Sequence, residues 1–253
     1  MSEPLVPVEP LPATPAPGLA RGQQRTIAAI EILLCSSLPT QVLIAGALGA
    51  LGLSPQTPAE QLSLPFVLTL SLADSTLLIV LMVVLMRAHG DSPWRLWRGH
   101  RRLGTEVSLG LALVPITVVF VGLLLRALQE RAPWLHNVPT NPLETLAAGG
   151  PTEAAMMGVI AIVAGGLREE LQRAFLLQRF ERHLGGAAVG VVVLSTAFGL
   201  GHAMQGWDAA VATGLLGAFW AVVYLWRRSS VAPIVSHAGF NSIEVLRIAI
   251  GGT

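Results

Sequence analysis

Residues 107–125 read VSLGLALVPITVVFVGLLL, nineteen residues without a charged side chain. As a helix this stretch would be about 29 Å long, close to the roughly 30 Å hydrocarbon thickness of a bilayer. A chain in hydrocarbon must pair its backbone groups within itself, so the stretch reads as a membrane-spanning helix. Working outward, six more apolar runs have similar length. They cover 27–53 (with Glu31 near one end and Pro39 inside), 62–86 (interrupted by Asp74), 152–167, 186–206, 207–226 and 230–250. The expected fold is therefore all-α: a polytopic transmembrane helical bundle of about seven spans, or eight if 27–53 or 139–160 breaks differently.

Composition agrees. Of 253 residues, 53% are hydrophobic and 12% charged, against about 25% charged in soluble domains. Mean hydropathy is +0.63. Soluble globular and disordered classes are excluded for all but the first two dozen residues. A net charge of +1 argues against a nucleic-acid partner. One cysteine, Cys35, rules out an intrachain disulfide and a Cys-rich zinc site. The basic residues are sixteen arginines and no lysine, which with abundant Ala, Gly and Pro points to a GC-rich bacterial source.

Residues 1–24 carry six prolines and no apolar run, and read as a disordered, Pro-rich cytoplasmic tail preceding a transmembrane domain over 25–253. Arginine placement sets the orientation. Arg21 and Arg25 precede the first run; Arg87, Arg95, Arg98, Arg101 and Arg102 follow the second; Arg179, Arg182, Arg227 and Arg228 follow later ones. If every run crosses once, all these ends fall on one side, which the positive-inside bias makes cytoplasmic. The expected location is the bacterial inner membrane, with the N-terminus in the cytoplasm. The segment 89–104 reads as a basic interfacial loop or short interfacial helix.

Ionisable side chains at membrane depth are costly and mark function. Residues 167–175 read LREELQRAF, 198–202 read FGLGH, and 237–241 read HAGFN. Glu169 and Arg173 are i,i+4 on one helix, and Glu170 and Arg173 are i,i+3. His237 and Asn241 are i,i+4. Counted from the arginine-rich ends, Glu169, His202, His237 and Asn241 lie about 20, 24, 10 and 17 Å deep, so the three motifs converge on one cavity. A carboxylate with a histidine deprotonates water, and a second histidine with an amide stabilises an oxyanion. Glu169, His202 and His237 holding a Zn²⁺ with an open position is the alternative. Asp74 is expected to hydrogen-bond a Ser or Thr of a neighbouring helix, near Ser71 or Thr76.

Glu-Glu…Arg, then Phe198-x-x-x-His202, then His237-x-x-x-Asn241, each on its own late helix, resembles the CPBP family of CAAX prenyl protease and bacteriocin-processing or immunity proteins. The resemblance covers roughly residues 140–250. It implies an intramembrane endopeptidase that cuts a membrane-associated peptide or protein. Glu169 (or Glu170) and His202 would activate the water, His237 and Asn241 would stabilise the oxyanion, and Arg173 and Phe198 would support them. The family is described both as a metalloprotease and as using a metal-independent glutamate mechanism. One departure stands out: the family pattern is Glu-Glu-x-x-x-Arg, whereas Glu169-Glu170-Leu171-Gln172-Arg173 is one residue shorter. Glu169 is taken as the catalytic carboxylate. A proton- or ion-coupled transporter and a non-catalytic membrane scaffold or immunity protein are the competing readings. The absence of His-Glu-x-x-His and of Gly-x-Ser-x-Gly argues against other intramembrane protease classes.

Overall fold

The computed structural model describes residues 20–251. The tail expected over 1–24 lies outside the described residues as far as residue 19, and the first helix begins at Arg21. The helices are α1 (Arg21–Leu34), α2 (Leu38–Ala50), α3 (Leu64–Ala88), α4 (Pro93–Arg98), α5 (Leu103–Arg131), α6 (Pro142–Ala147), α7 (Pro151–Ile160), α8 (Glu169–His183), α9 (Ala187–Gly201), α10 (Trp207–Arg227) and α11 (Val231–Ala249). A π-helical segment, Ala161–Arg168, joins α7 to α8 without interruption. No β-strand occurs among the described residues, and the protein is all-α as the apolar runs require.

Among the described residues, four stretches are long and apolar enough to cross a membrane: Arg21–Ala50 (α1 and α2 together), Leu64–Ala88, Leu103–Arg131 and Trp207–Arg227. By length and apolarity these account for four of the about seven runs expected to cross. The run expected over 186–206 stops as a helix at Gly201, after fifteen residues. The helices through 151–183 and 231–249 carry the polar motifs, which lower their apolarity.

The run over 27–53 is broken between α1 and α2. Pro39 has no N–H to donate to Cys35 O one turn earlier, and Ser37 takes a left-handed conformation (φ 71°). The stranded carbonyl is satisfied from another helix, because Gln172 Nε2 donates to Cys35 O at 2.5 Å. A break at membrane depth persists only with such a substitute donor.

Burial runs opposite to a water-soluble fold. Residues Glu170–Phe180 of α8, four of them polar or charged beyond Glu170 itself, are buried without a gap. By contrast, Leu111, Ile116, Val119 and Leu123 of α5 are 54–65% exposed. Apolar side chains in that position need hydrocarbon around them. The core packs Leu78, Met82 and Met86 of α3 against Phe175 and Leu177 of α8 and Ala221 and Tyr224 of α10.

Ion pairs gather the basic helix ends. Arg179 Nε meets Glu31 at 2.6 Å, Arg182 meets Asp91 at 2.8 Å, and Arg227 and Arg228 meet Glu106 and Glu181 at 2.6 Å each. The other end is tied by His136–Asp208 (2.7 Å) and by Trp207 N donating to Asn137 Oδ1 (2.9 Å). The helix ends that carry Arg179, Arg182, Arg227 and Arg228 therefore share one end of the bundle.

α4 is wedged there. Gly99, its C-cap, has φ 67°, and a Cβ on it would run into Arg228 O, with Ser229 Cβ at 3.4 Å. Gly99→Ala is expected to destabilise the protein by about 1–3 kcal/mol through overpacking and left-handed strain, read as a lower Tm in detergent. An unchanged Tm would show that α4 is not held against the α10–α11 turn.

Candidate active site

The site forms where α8, α10 and α11 meet. The π-helical segment positions it. Widened helical turns of this kind recur at functional sites, and here Gly165 and Gly166 let α11 approach the backbone. A Cβ on Gly166 would lie 2.5 Å from Ala238 Cβ, and one on Gly165 would meet Asn241 Nδ2. Gly166→Val is expected to push α11 away and cost about 1–3 kcal/mol, measured by thermal unfolding. Were it neutral, the close α11 approach would not depend on glycine.

Glu170 heads α8 and is 2% exposed. Its Oε1 accepts from Arg173 Nη1, the i,i+3 partner, and lies 2.8 Å from His237 Nδ1. A carboxylate beside a guanidinium offers only acceptors. Nδ1 of His237 must therefore carry a hydrogen, and in the neutral tautomer this leaves Nε2 as an acceptor. That Nε2 lies 3.8 Å from Glu169 Oε2. Trp220, 1% exposed, stacks on the His237 ring (3.8 Å, 15°). Arg173 lies over the rings of Phe198 (4.8 Å) and Trp220 (5.9 Å), so its charge has aromatic faces as well as Glu170.

Glu169 is held more loosely. Its side chain is 15% exposed, and its contacts are His237 at 3.8 Å and Arg168 at 3.7 Å. Arg168 in turn donates to Ser37 Oγ (3.1 Å) and Gln172 Oε1 (2.9 Å) and lies 3.9 Å from Asp74. Asp74 accepts from Thr40 Oγ1 and from Gln41 Nε2 (3.4 Å). Its hydroxyl partner is thus on α2; Ser75 and Thr76 bond carbonyls of their own helix. Two guanidinium groups, Arg168 and Arg173, face three carboxylates: Asp74, Glu169 and Glu170. One carboxylate remains without a full counter-charge. Arg168 is about equally far from Asp74 and Glu169, but Asp74 also accepts from Thr40 and Gln41, so Glu169 is the less compensated.

The remaining motif residues flank this centre. His202 caps α9, with Nδ1 2.8 Å from Phe198 O. The Phe198 ring lies edge-on between His202 (4.8 Å) and His237 (6.3 Å). Asn241 Nδ2 donates to Ala161 O at 3.3 Å. Glu169 therefore meets His237, whereas the family resemblance pairs the catalytic Glu with His202. The difference arises because α9 ends at Gly201 and His202 bonds back onto its own helix. No group of three or more His, Cys, Asp or Glu side chains close enough to hold a metal ion occurs among the described residues. The trio Glu169, His202, His237 thus does not fit a Zn²⁺ as placed, and no step below is routed through one.

Sequence reading missed Trp220, Ser37 and Gln172 as parts of the site, and it placed Arg168 in the charged cluster without giving it a role. Trp220 had a signal: it sits in the middle of its run, away from the interfacial belt that Trp94, Trp97, Trp134, Trp207 and Trp226 suggest.

An all-α protein with exposed apolar helix faces and four helices long and apolar enough to span a bilayer among the described residues is a membrane-embedded protein. Residues 151–243 match the model of one family, described as type II CAAX prenyl endopeptidase Rce1-like. That stretch runs from the start of α7 into α11; over it the chain is similar to the Rce1-like family, and all the motif residues lie within it. No curated protein and no solved structure matches the chain.

Proposed function

We propose that the protein is an intramembrane endopeptidase that hydrolyses a peptide bond of a membrane-associated peptide or protein. The observation that carries this reading is the Glu169–His237–Glu170 geometry. Two acceptors, Glu169 Oε2 and His237 Nε2, stand 3.8 Å apart, and a water about 2.8 Å from each would donate both hydrogens to them. Its lone pairs would then point away from both, toward a substrate carbonyl. The water attacks the carbonyl carbon while Glu169 takes its proton, assisted by His237, which Glu170 holds in one tautomer and one orientation. Asn241, one turn beyond His237, gives one amide hydrogen to Ala161 O. Its second hydrogen is available to the developing oxyanion. Collapse of the tetrahedral species returns the proton to the leaving amine. His202, beyond the Phe198 ring, is the other titratable group on the substrate side. The arginine-rich end of the bundle supports a cytoplasmic N-terminus in a bacterial inner membrane.

The test is cleavage of membrane-anchored fluorogenic peptides by the purified protein in proteoliposomes. His202→Ala, Glu169→Gln and His237→Ala would be compared with wild type, with and without chelator. Cleavage is expected to fall in the Glu169 and His237 variants and to be unchanged by chelator. Cleavage lost with chelator and restored by zinc would instead assign the water to a metal held by Glu169, His202 and His237. If the Glu169 and His237 variants kept full function in cells, the scaffold or immunity reading would replace the enzyme.

A further inference from the structure

We propose that α4 carries a binding site for the phosphate of an anionic lipid headgroup, formed by Trp94, Arg95 and Arg98. The helix has six residues, PWRLWR, about 9 Å of rise, so it spans nothing. Its inner face is firmly seated. Leu96 is buried, Trp97 Nε1 donates to Leu171 O (3.0 Å), and Trp97 O accepts from Ser230 N (2.7 Å). These contacts fix what the outer face presents.

That face is an exposed tryptophan with two arginines. Trp94 is 69% exposed, and the Arg98 guanidinium lies 5.5 Å from its ring. Arg95, one turn from Arg98, is exposed as well. A guanidinium lying over an indole gives the ring no N–H and keeps its N–H edge available, the edge that binds phosphate oxygens in pairs. Neither Arg95 nor Arg98 has a carboxylate within ion-pair distance among the described residues. The acidic residues at this end are already engaged: Glu31 with Arg179, Asp91 with Arg179 and Arg182, Glu106 with Arg227, and Glu181 with Arg228. The site thus carries two positive charges with no internal partner, at the depth where tryptophans meet headgroups. The indole favours a lipid over free phosphate, because its exposed ring needs an apolar neighbour such as a glycerol or acyl segment.

The experiment uses the full-length protein in nanodiscs of phosphatidylcholine mixed with phosphatidylglycerol, with retained lipids counted by native mass spectrometry. Wild type is expected to retain phosphatidylglycerol preferentially. Arg95→Gln/Arg98→Gln should lower that preference about fivefold for each arginine removed. Neither arginine supports the fold through an ion pair, so the double variant should keep its Tm. Arg21→Gln/Arg25→Gln removes the same charge from α1, whose Glu31 meets Arg179 and His89 at this same end; it should keep the preference. No preference in wild type, or equal loss in both double variants, would overturn the site in favour of a diffuse field. Inorganic phosphate competing as well as the lipid would overturn the lipid assignment. Cleavage activity enters none of these readings.

Discussion

Glu169→Gln is expected to lower peptide cleavage by about 10²–10⁴-fold, the range for losing a general base, while changing stability by less than about 1 kcal/mol. The separation of these effects follows from the contacts. Glu169 is partly accessible, and its closest charged neighbours are 3.7 and 3.8 Å away, so glutamine of the same shape strands no tightly bound partner. Arg168 keeps Ser37, Gln172 and Asp74. The amide retains an oxygen for one hydrogen of the water but cannot take the proton. Cleavage in proteoliposomes and Tm in detergent, measured on one preparation, test the pair of statements. Turnover equal to wild type would remove Glu169 from the chemistry. A large drop in Tm would show it to be a structural ion-pair member.

How much of this was legible in the sequence depended on the kind of signal. Apolar run length gave the all-α bundle, because backbone pairing in hydrocarbon leaves no other local structure for such runs. It does not tell where each helix stops: α9 ends at Gly201 and the chain turns at Ala203–Gln205 before α10. The site residues announced themselves as polar groups in apolar surroundings, and the structure brings Glu169, Glu170, Arg173 and His237 together. Their pairing was not legible. From spacing, Arg173 is within reach of both Glu169 and Glu170; in the fold it pairs with Glu170, and both carboxylates meet His237 of α11. Neither Gly165–Gly166 nor any other local pattern identifies a π turn without the packing of Ala238 and Asn241 against it. Trp220's place inside its run says only that it is not interfacial; that it stacks on the His237 ring is seen only in the fold.

Glu170→Ala should produce the largest loss of stability, about 3–5 kcal/mol, because it leaves Arg173 buried without its carboxylate. The side chains of Arg173 and Glu170 are 6% and 1% exposed, so water cannot replace the lost partner. Phe198 and Trp220 offset only part of the cost through their ring faces. Loss of cleavage in this variant alone would not separate misfolding from chemistry. The double replacement Glu170→Leu/Arg173→Met does separate them. Exchanging a buried ion pair for apolar side chains of similar volume is often neutral or stabilising, so Tm should recover to near wild type. His237 would still lack the acceptor on Nδ1 that fixes its tautomer and aims Nε2 at Glu169. Cleavage should therefore stay down by about 10²–10⁴-fold despite the recovered fold. Recovery of both Tm and turnover would mean that Glu170 and Arg173 only hold α8 in the bundle, and that His237 needs no orienting carboxylate. Recovery of neither would mean that the apolar pair does not fit between Phe198 and Trp220. Glu170→Gln, which keeps the volume and an acceptor oxygen, would then carry the test: it should retain more turnover than Glu170→Ala if orienting His237 is what Glu170 does.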